Sequence, residues 1–213
     1  MRRMGMDKWE YGGAYKNYNM SGLIKAGTGL VKVHNIFDPL PDFMYQADCV
    51  FSDPPCSRAN INSFYTKAGR TDYQEDYTSF AERFWECIDE IAPNTVFVEV
   101  FASNHDYFLE QCKARFEYVK EYNATYYHKK DCKCWIIQGS HTSNATYPFE
   151  GKDEQDIIEY ICKKYPYTCI GDLCMGRGLV GFYANKYGRY FVGTELNEKR
   201  LAVLLERIEK GRL

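Results

Sequence analysis

The sequence predicts an α/β fold in three layers: a seven-stranded, mostly parallel sheet, helices on both faces, and one antiparallel hairpin strand at an edge. Three observations carry that expectation. Seven segments rich in β-branched and aromatic residues recur along the 213-residue chain. Helical periodicity fills most of the gaps between them, the pattern of a parallel sheet with crossover helices. One pair of segments is joined by only Lys129, Lys130 and Asp131, which is hairpin spacing and too short for a crossover. Hydrophobic residues at 45% and charged residues at 26% suit one globular domain with a substantial core.

Taken in order, strands are expected at 31–37, 47–53, 94–101, 116–128, 132–138, 168–174 and 189–195. A helix is expected over 79–91, where Phe80, Phe84, Ile88 and Ile91 recur at helical steps. Ser79 and Glu82 fit a capping box at its start, and Pro93 follows its end. A second helix over 105–115 places Phe108 and Cys112 on one face behind a Ser103 or Asn104 cap. A third, over 153–165, begins acidic and ends basic, matching the helix dipole. The last runs from an Asn197 cap through Leu201, Leu205 and Ile208 to Gly211. Residues 1–30 read as an N-terminal extension, and the stretch from Cys56 to about Asp76 as a long loop. The remainder, 31–213, reads as a single domain with halves at 31–138 and 150–213.

No apolar run approaches the roughly 18 residues that cross a bilayer, and no apolar block follows the basic N-terminus, so an intracellular, cytoplasmic protein is expected. Its nine irregularly spaced cysteines are then reduced thiols, and the triplets at Asn19, Asn123 and Asn144 are not glycosylated. No metal is expected: Cys132 and Cys134 on one strand point to opposite faces, and only His128 and His141 could join them. A net charge of −2 does not favour a polyanion partner across the whole surface. Local basic groups do exist, at Arg58, Lys67 and Arg70 and at His128, Lys129, Lys130 and Lys133.

Two motifs carry chemistry. Strand 168–174 runs into Gly176-Arg-Gly178-Leu-Val-Gly181, then a short helix, another strand and Glu195. Glycines allow a tight turn and close approach of a ligand, and an acid at the following strand end can accept hydrogen bonds from ribose hydroxyls. Asp172 just before the glycines argues against a dinucleotide site, and only one helix follows Glu195, so the nucleotide unit comes last in the chain. The other motif, Asp53-Pro54-Pro55-Cys56, ends strand 47–53. Two prolines fix φ and remove both backbone donors, leaving the Asp53 carboxylate and the Pro54 carbonyl as acceptors suited to an –NH₂ group.

In that order, Asp53-Pro54-Pro55-Cys56, Asp172-Leu-Cys174-Met-Gly176-Arg-Gly178 and Gly193-Thr-Glu195-Leu-Asn197, the motifs resemble those of the circularly permuted (β-type) amino-methyltransferases of DNA. The resemblance spans roughly residues 30–213. It implies a permuted Rossmann-like methyltransferase fold that uses S-adenosylmethionine to methylate adenine N6, or else cytosine N4, in DNA, as in restriction–modification. It implies that Asp53, Pro54, Pro55 and Cys56 form the catalytic turn. Asp172, Cys174, Gly176, Gly178, Gly181, Glu195 and Asn197 would bind the cofactor.

Three features depart from that pattern. Cys56 stands where an aromatic ring stacks on the flipped base, a role that passes to Phe64, Tyr65 or Tyr73. Met175 and Arg177 are bulkier than usual. No segment is large enough for a target-recognition domain, which leaves Arg58, Lys67 and Arg70, a partner subunit or a homodimer to contact DNA. Two alternatives follow: a cytosine carbon-5 methyltransferase with Cys56 as nucleophile and Glu99 as its acid, or a non-catalytic nucleic-acid-binding subunit of the same fold.

Overall fold

The computed structural model describes residues 9–70 and 76–213. All seven expected strands form: β2 (Gly29–Val33), β3 (Cys49–Ser52), β4 (Thr95–Val100), β5 (Tyr118–Tyr126), β6 (Lys129–Ser140), β8 (Cys169–Asp172) and β9 (Tyr190–Glu195). Two short strands, β1 (Leu23–Ala26) and β7 (Lys152–Asp153), bring the sheet to nine, in the order β1-β2-β9-β8-β3-β4-β6-β5-β7. The count of seven is thereby corrected. Four- and two-residue strands at the sheet edges carry too little alternation to be read.

From β2 through β4 in that order, neighbouring strands are parallel. Strand β6 runs antiparallel between β4 and β5, so the reversed strand is internal and not at the edge. The edge hairpin is β1–β2, which ties residues 23–26 of the expected extension into the sheet. The β5–β6 turn is also earlier than its spacing suggested. Tyr127 and His128 take it with φ of 56° each, and Lys129 already pairs with Tyr126. Asp153 and Glu154 hold this strained turn by accepting the His128 and Tyr127 N–H groups.

Helices α1 (Arg58–Lys67), α2 (Tyr77–Ile91) and α3 (His105–Arg115) cover one face, and α4 (Glu154–Lys164), α5 (Leu179–Lys186) and α6 (Glu198–Lys210) the other. Helix α1 takes up residues 58–67 of the stretch expected as a loop after Cys56. Its N-cap Ser57 accepts the Asn60 N–H, but it buries only Ile61 and Tyr65, one apolar step without a periodic stripe. Helix α2 starts two residues before the expected box: Asp76 is the cap, and the Ser79 N–H donates to it. Helix α3 opens at Asn104, whose side chain turns back to accept the Phe101 N–H.

Parallel connections leave β3 toward β4 on one side and β8 toward β9 on the other, so the winding reverses between the adjacent strands β3 and β8. Ligands of open α/β sheets bind outside the carboxyl ends of the strands at such a reversal. Here those ends are Asp53 and Asp172.

Candidate active site

A cavity of about 670 Å³ opens at that point, lined by Asp53, Pro54, Pro55 and Cys56 from the β3 end and by Asp172, Cys174 and Gly176 from the β8 end. Glu195 and Arg200 line it from the β9–α6 side, and Asn60, Phe64 and Tyr65 from α1. The two sequence motifs, over a hundred residues apart, therefore form one wall of one cavity.

Ser52 joins them. Its hydroxyl donates to Asp172 Oδ1 at 3.1 Å and accepts the Leu173 N–H at 2.9 Å. The same Asp172 oxygen accepts the Cys174 N–H at 3.0 Å, which shapes the start of the loop. Burial pushes the Asp172 carboxyl up to about 7, against the pull of those donors, and Asp53 and Glu195 add to the rise.

The glycine loop is closed from its other side by Glu195, which accepts the Gly176 N–H at 2.6 Å and the Asn197 N–H at 3.0 Å. Gly176 and Gly178 have φ of 55° and 73°, the left-handed region. A Cβ at Gly178 would lie 2.6 Å from the Leu204 Cβ, and one at Gly176 2.8 Å from the Arg200 guanidinium. Gly181 packs against Phe191 and so belongs to helix–sheet packing. Met175 is buried with its sulfur over Gly193, which explains a bulky residue at that position. Arg177 is exposed, and its carbonyl accepts from Arg207. Asn197 caps α6 by accepting the Lys199 N–H.

Asp53 is half-buried and accepts the Tyr126 hydroxyl at 3.2 Å. Burial raises its carboxyl to about 6, while Tyr126 and the nearby Arg200 hold it down. The Cys56 thiol donates to Asn60 Oδ1 at 2.9 Å, and Ser103 donates to the Cys56 carbonyl. Among the described residues no base hydrogen-bonds that thiol. Glu99 lies on the cavity floor, 1% exposed, with burial and Asp53 raising its carboxyl far above the ordinary range.

The substrate-side residues separate. Phe64 lines the cavity with its ring 4.9 Å from the Arg200 guanidinium. Tyr65 is buried and donates to Asn35 at 2.6 Å. Lys67 lies over the Trp9 ring and Arg70 over Tyr65, while Arg58 is exposed on the first turn of α1. Tyr73 lies outside the described residues. Sequence reasoning missed Tyr126 and Arg200. Tyr126 reads as a strand aromatic, and the one signal for Arg200 is its place three residues after the Asn197 cap, on the same side of α6.

All nine cysteines are free, and among the described residues no three His, Cys, Asp or Glu side chains gather to hold a metal. No helix of the described residues is long and apolar enough to cross a membrane.

No protein-family profile and no curated protein matches the chain. Solved structures do match. M1.HpyAVI, solved as its S-adenosylmethionine complex, aligns with a TM-score of 0.58 at 14% identity, over 83% of this chain and 98% of its own. TTHA0409 from Thermus thermophilus, complexed with S-adenosyl-L-methionine, gives 0.56 at 12%, over 78% and 86%. The cytosine-N4-specific PvuII DNA methyltransferase gives 0.56 at 9%, over 88% and 95%. At these identities the likeness establishes the fold: the chain has the α/β fold of DNA methyltransferases.

Proposed function

We propose that the chain transfers a methyl group from S-adenosylmethionine to an exocyclic amino nitrogen of a DNA base, with adenine N6 as the first assignment and cytosine N4 as the second. The observation that carries this reading is that the Asp53–Pro54 acceptors and the Gly176–Gly178 loop with Glu195 share one cavity at the sheet's winding reversal. The glycine cradle and Glu195 fit the cofactor. Both glycines hold left-handed backbone that a side chain strains, and each Glu195 oxygen keeps a lone pair beyond the backbone N–H it accepts. Asp172, Cys174, Gly176, Gly178, Gly181, Glu195 and Asn197 form that half, within residues 150–213. When bound, the cofactor supplies an electrophilic methyl on a sulfonium.

Residues 31–138 supply the other half of a single domain, so the order of halves is the permuted one. Asp53 and the Pro54 carbonyl accept the two N–H groups of the amine and turn its lone pair toward the methyl, which is catalysis by positioning. An Asp53 oxygen takes the proton the nitrogen sheds. Pro55 holds the turn rigid. A duplex base reaches this depth only when flipped out, and Phe64, Phe101 and Tyr127 border the space it would enter. Cys56 is a turn residue in this reading, its proton directed at Asn60. Arg58, Lys67 and Arg70 sit on the DNA side, with a partner subunit or second copy extending the contact. The reading places the enzyme inside the cell, where its substrate is.

Incubation with S-adenosylmethionine and unmethylated DNA, then nucleoside digestion and mass spectrometry, tests this. Methyl on an exocyclic nitrogen is expected. Methyl on cytosine carbon-5, abolished in Cys56→Ser, would replace the reading with the thiol-nucleophile alternative.

A further inference from the structure

Glu99 has no role in the chemistry above, and its setting is unusual. Strands β3 and β4 pair Phe51 with Phe97 and Ser52 with Val98, so the next step along both strands brings Asp53 and Glu99 side by side on one face. Glu99 is 1% exposed yet lines the cavity. The Cys134 thiol of β6 acts on it, and its Oε1 has no hydrogen-bond partner among the described residues. Around it stand Asp53, Asp153 and Glu154, and no cation is among the described residues that act on it most strongly. Arg200 acts instead on Glu195 and Asp53.

A carboxylate buried without a cation beside further acids is costly, so Glu99 is a neutral carboxyl with one O–H to give. Glu99 lines the same cavity as the Asp53 acceptor, with its unpartnered oxygen buried in the wall. One wall thus offers an acceptor next to a donor, a pair that complements an –NH₂ group whose carbon also carries an acceptor nitrogen.

We propose that Glu99 is a specificity-determining residue that donates a hydrogen bond to the ring nitrogen beside the target amino group, restricting the substrate to amidine edges. This rests on the amino-transfer reading above and narrows it. Adenine N1–N6 and cytosine N3–N4 carry that edge. An alkylamine does not, and neither does an adenine whose N1 is replaced by C–H. Removing the donor strands no charge, so variants at this position retain the fold.

The test uses oligonucleotides carrying the methylated base, mapped beforehand by mass spectrometry, or its deaza analogue lacking the adjacent ring nitrogen (1-deazaadenine or 3-deazacytosine). Single-turnover transfer is measured for wild type, Glu99→Ala and Glu99→Gln, with S-adenosylmethionine binding as the control for folding. The ratio of natural to deaza rates is the readout, because comparing ratios between variants cancels differences in intrinsic amine reactivity. Wild type should prefer the natural base roughly 10- to 100-fold more than Glu99→Ala does, the worth of one buried base contact. Glu99→Gln, whose amide also donates, should keep the preference. An unchanged ratio in Glu99→Ala overturns the inference while leaving amino transfer intact. Wild type that methylates neither DNA removes the amino-transfer reading, and the inference with it.

Discussion

Ser52 shows how much one hydroxyl can organise. It couples the two strand ends by donating a hydrogen bond to Asp172 and accepting one from the Leu173 N–H. Ser52→Ala should leave the Leu173 N–H buried and unsatisfied and Asp172 with one donor fewer, costing about 1–3 kcal/mol of stability, measured by urea unfolding, and should weaken S-adenosylmethionine binding in titration calorimetry. Asp53 is the second residue with a measurable signature. With its carboxyl at about 6, it is ionised above that pH and protonated below. Single-turnover transfer should fall with an acid limb near pH 6, as the neutral form loses the charged acceptor and the proton sink. Asp53→Asn should flatten that limb while lowering the rate throughout. The motif residues themselves were legible because prolines and glycines declare their backbone geometry in the sequence. Tyr126 and Arg200 were not, because each sits in a strand or helix whose pattern reads as ordinary packing, and only the folded sheet brings them to the cavity.

At the scale of elements, the glycine loop and the β5–β6 turn carry the strain. Gly178→Ala would place a Cβ 2.6 Å from the Leu204 Cβ on a backbone with φ of 73°. A loss of about 2–4 kcal/mol is expected from the strained backbone and the clash together, visible as a lowered denaturation midpoint. Asp153 serves two elements, accepting the Gln155 N–H as the α4 cap and the His128 N–H in the strained turn. Asp153→Ala should therefore cost more than the roughly 1 kcal/mol of an ordinary cap, and amide exchange should quicken at Tyr127 and His128. The long, strongly patterned elements were readable: α6 begins at Asn197 and ends at Gly211 as its sequence declares. Strands β1 and β7 and helix α1 were hidden for one physical reason. Each is short or buries few side chains, so neighbours and not its own periodicity determine it.

Across the whole molecule, the cavity gathers acids whose carboxyls are raised by burial: Asp172 and Glu154 to about 7, Asp53 to about 6, and Glu195 and Glu99 upward as well. In the unfolded chain such groups ionise near pH 4. Between about 4 and 7 the native state thus holds more protons than the unfolded state, so stability should fall as pH rises through that range. Urea unfolding at pH 5 and pH 8 measures it, and Glu154→Gln should lessen the slope. Cofactor or substrate groups that donate into the cavity would offset part of that cost, linking stability to occupancy. That linkage arises only because the sheet brings β3 and β8 together, a neighbourhood that neither motif discloses alone. The central claim is that the Asp53 turn and the glycine loop are two halves of one methyl-transfer site. It is tested most directly by measuring labelled methyl transfer to DNA and S-adenosylmethionine binding in parallel, for wild type and Asp53→Ala. Binding within about twofold of wild type, with transfer reduced on the order of 100-fold or more, is the expected result. Wild-type transfer rates in Asp53→Ala would contradict it.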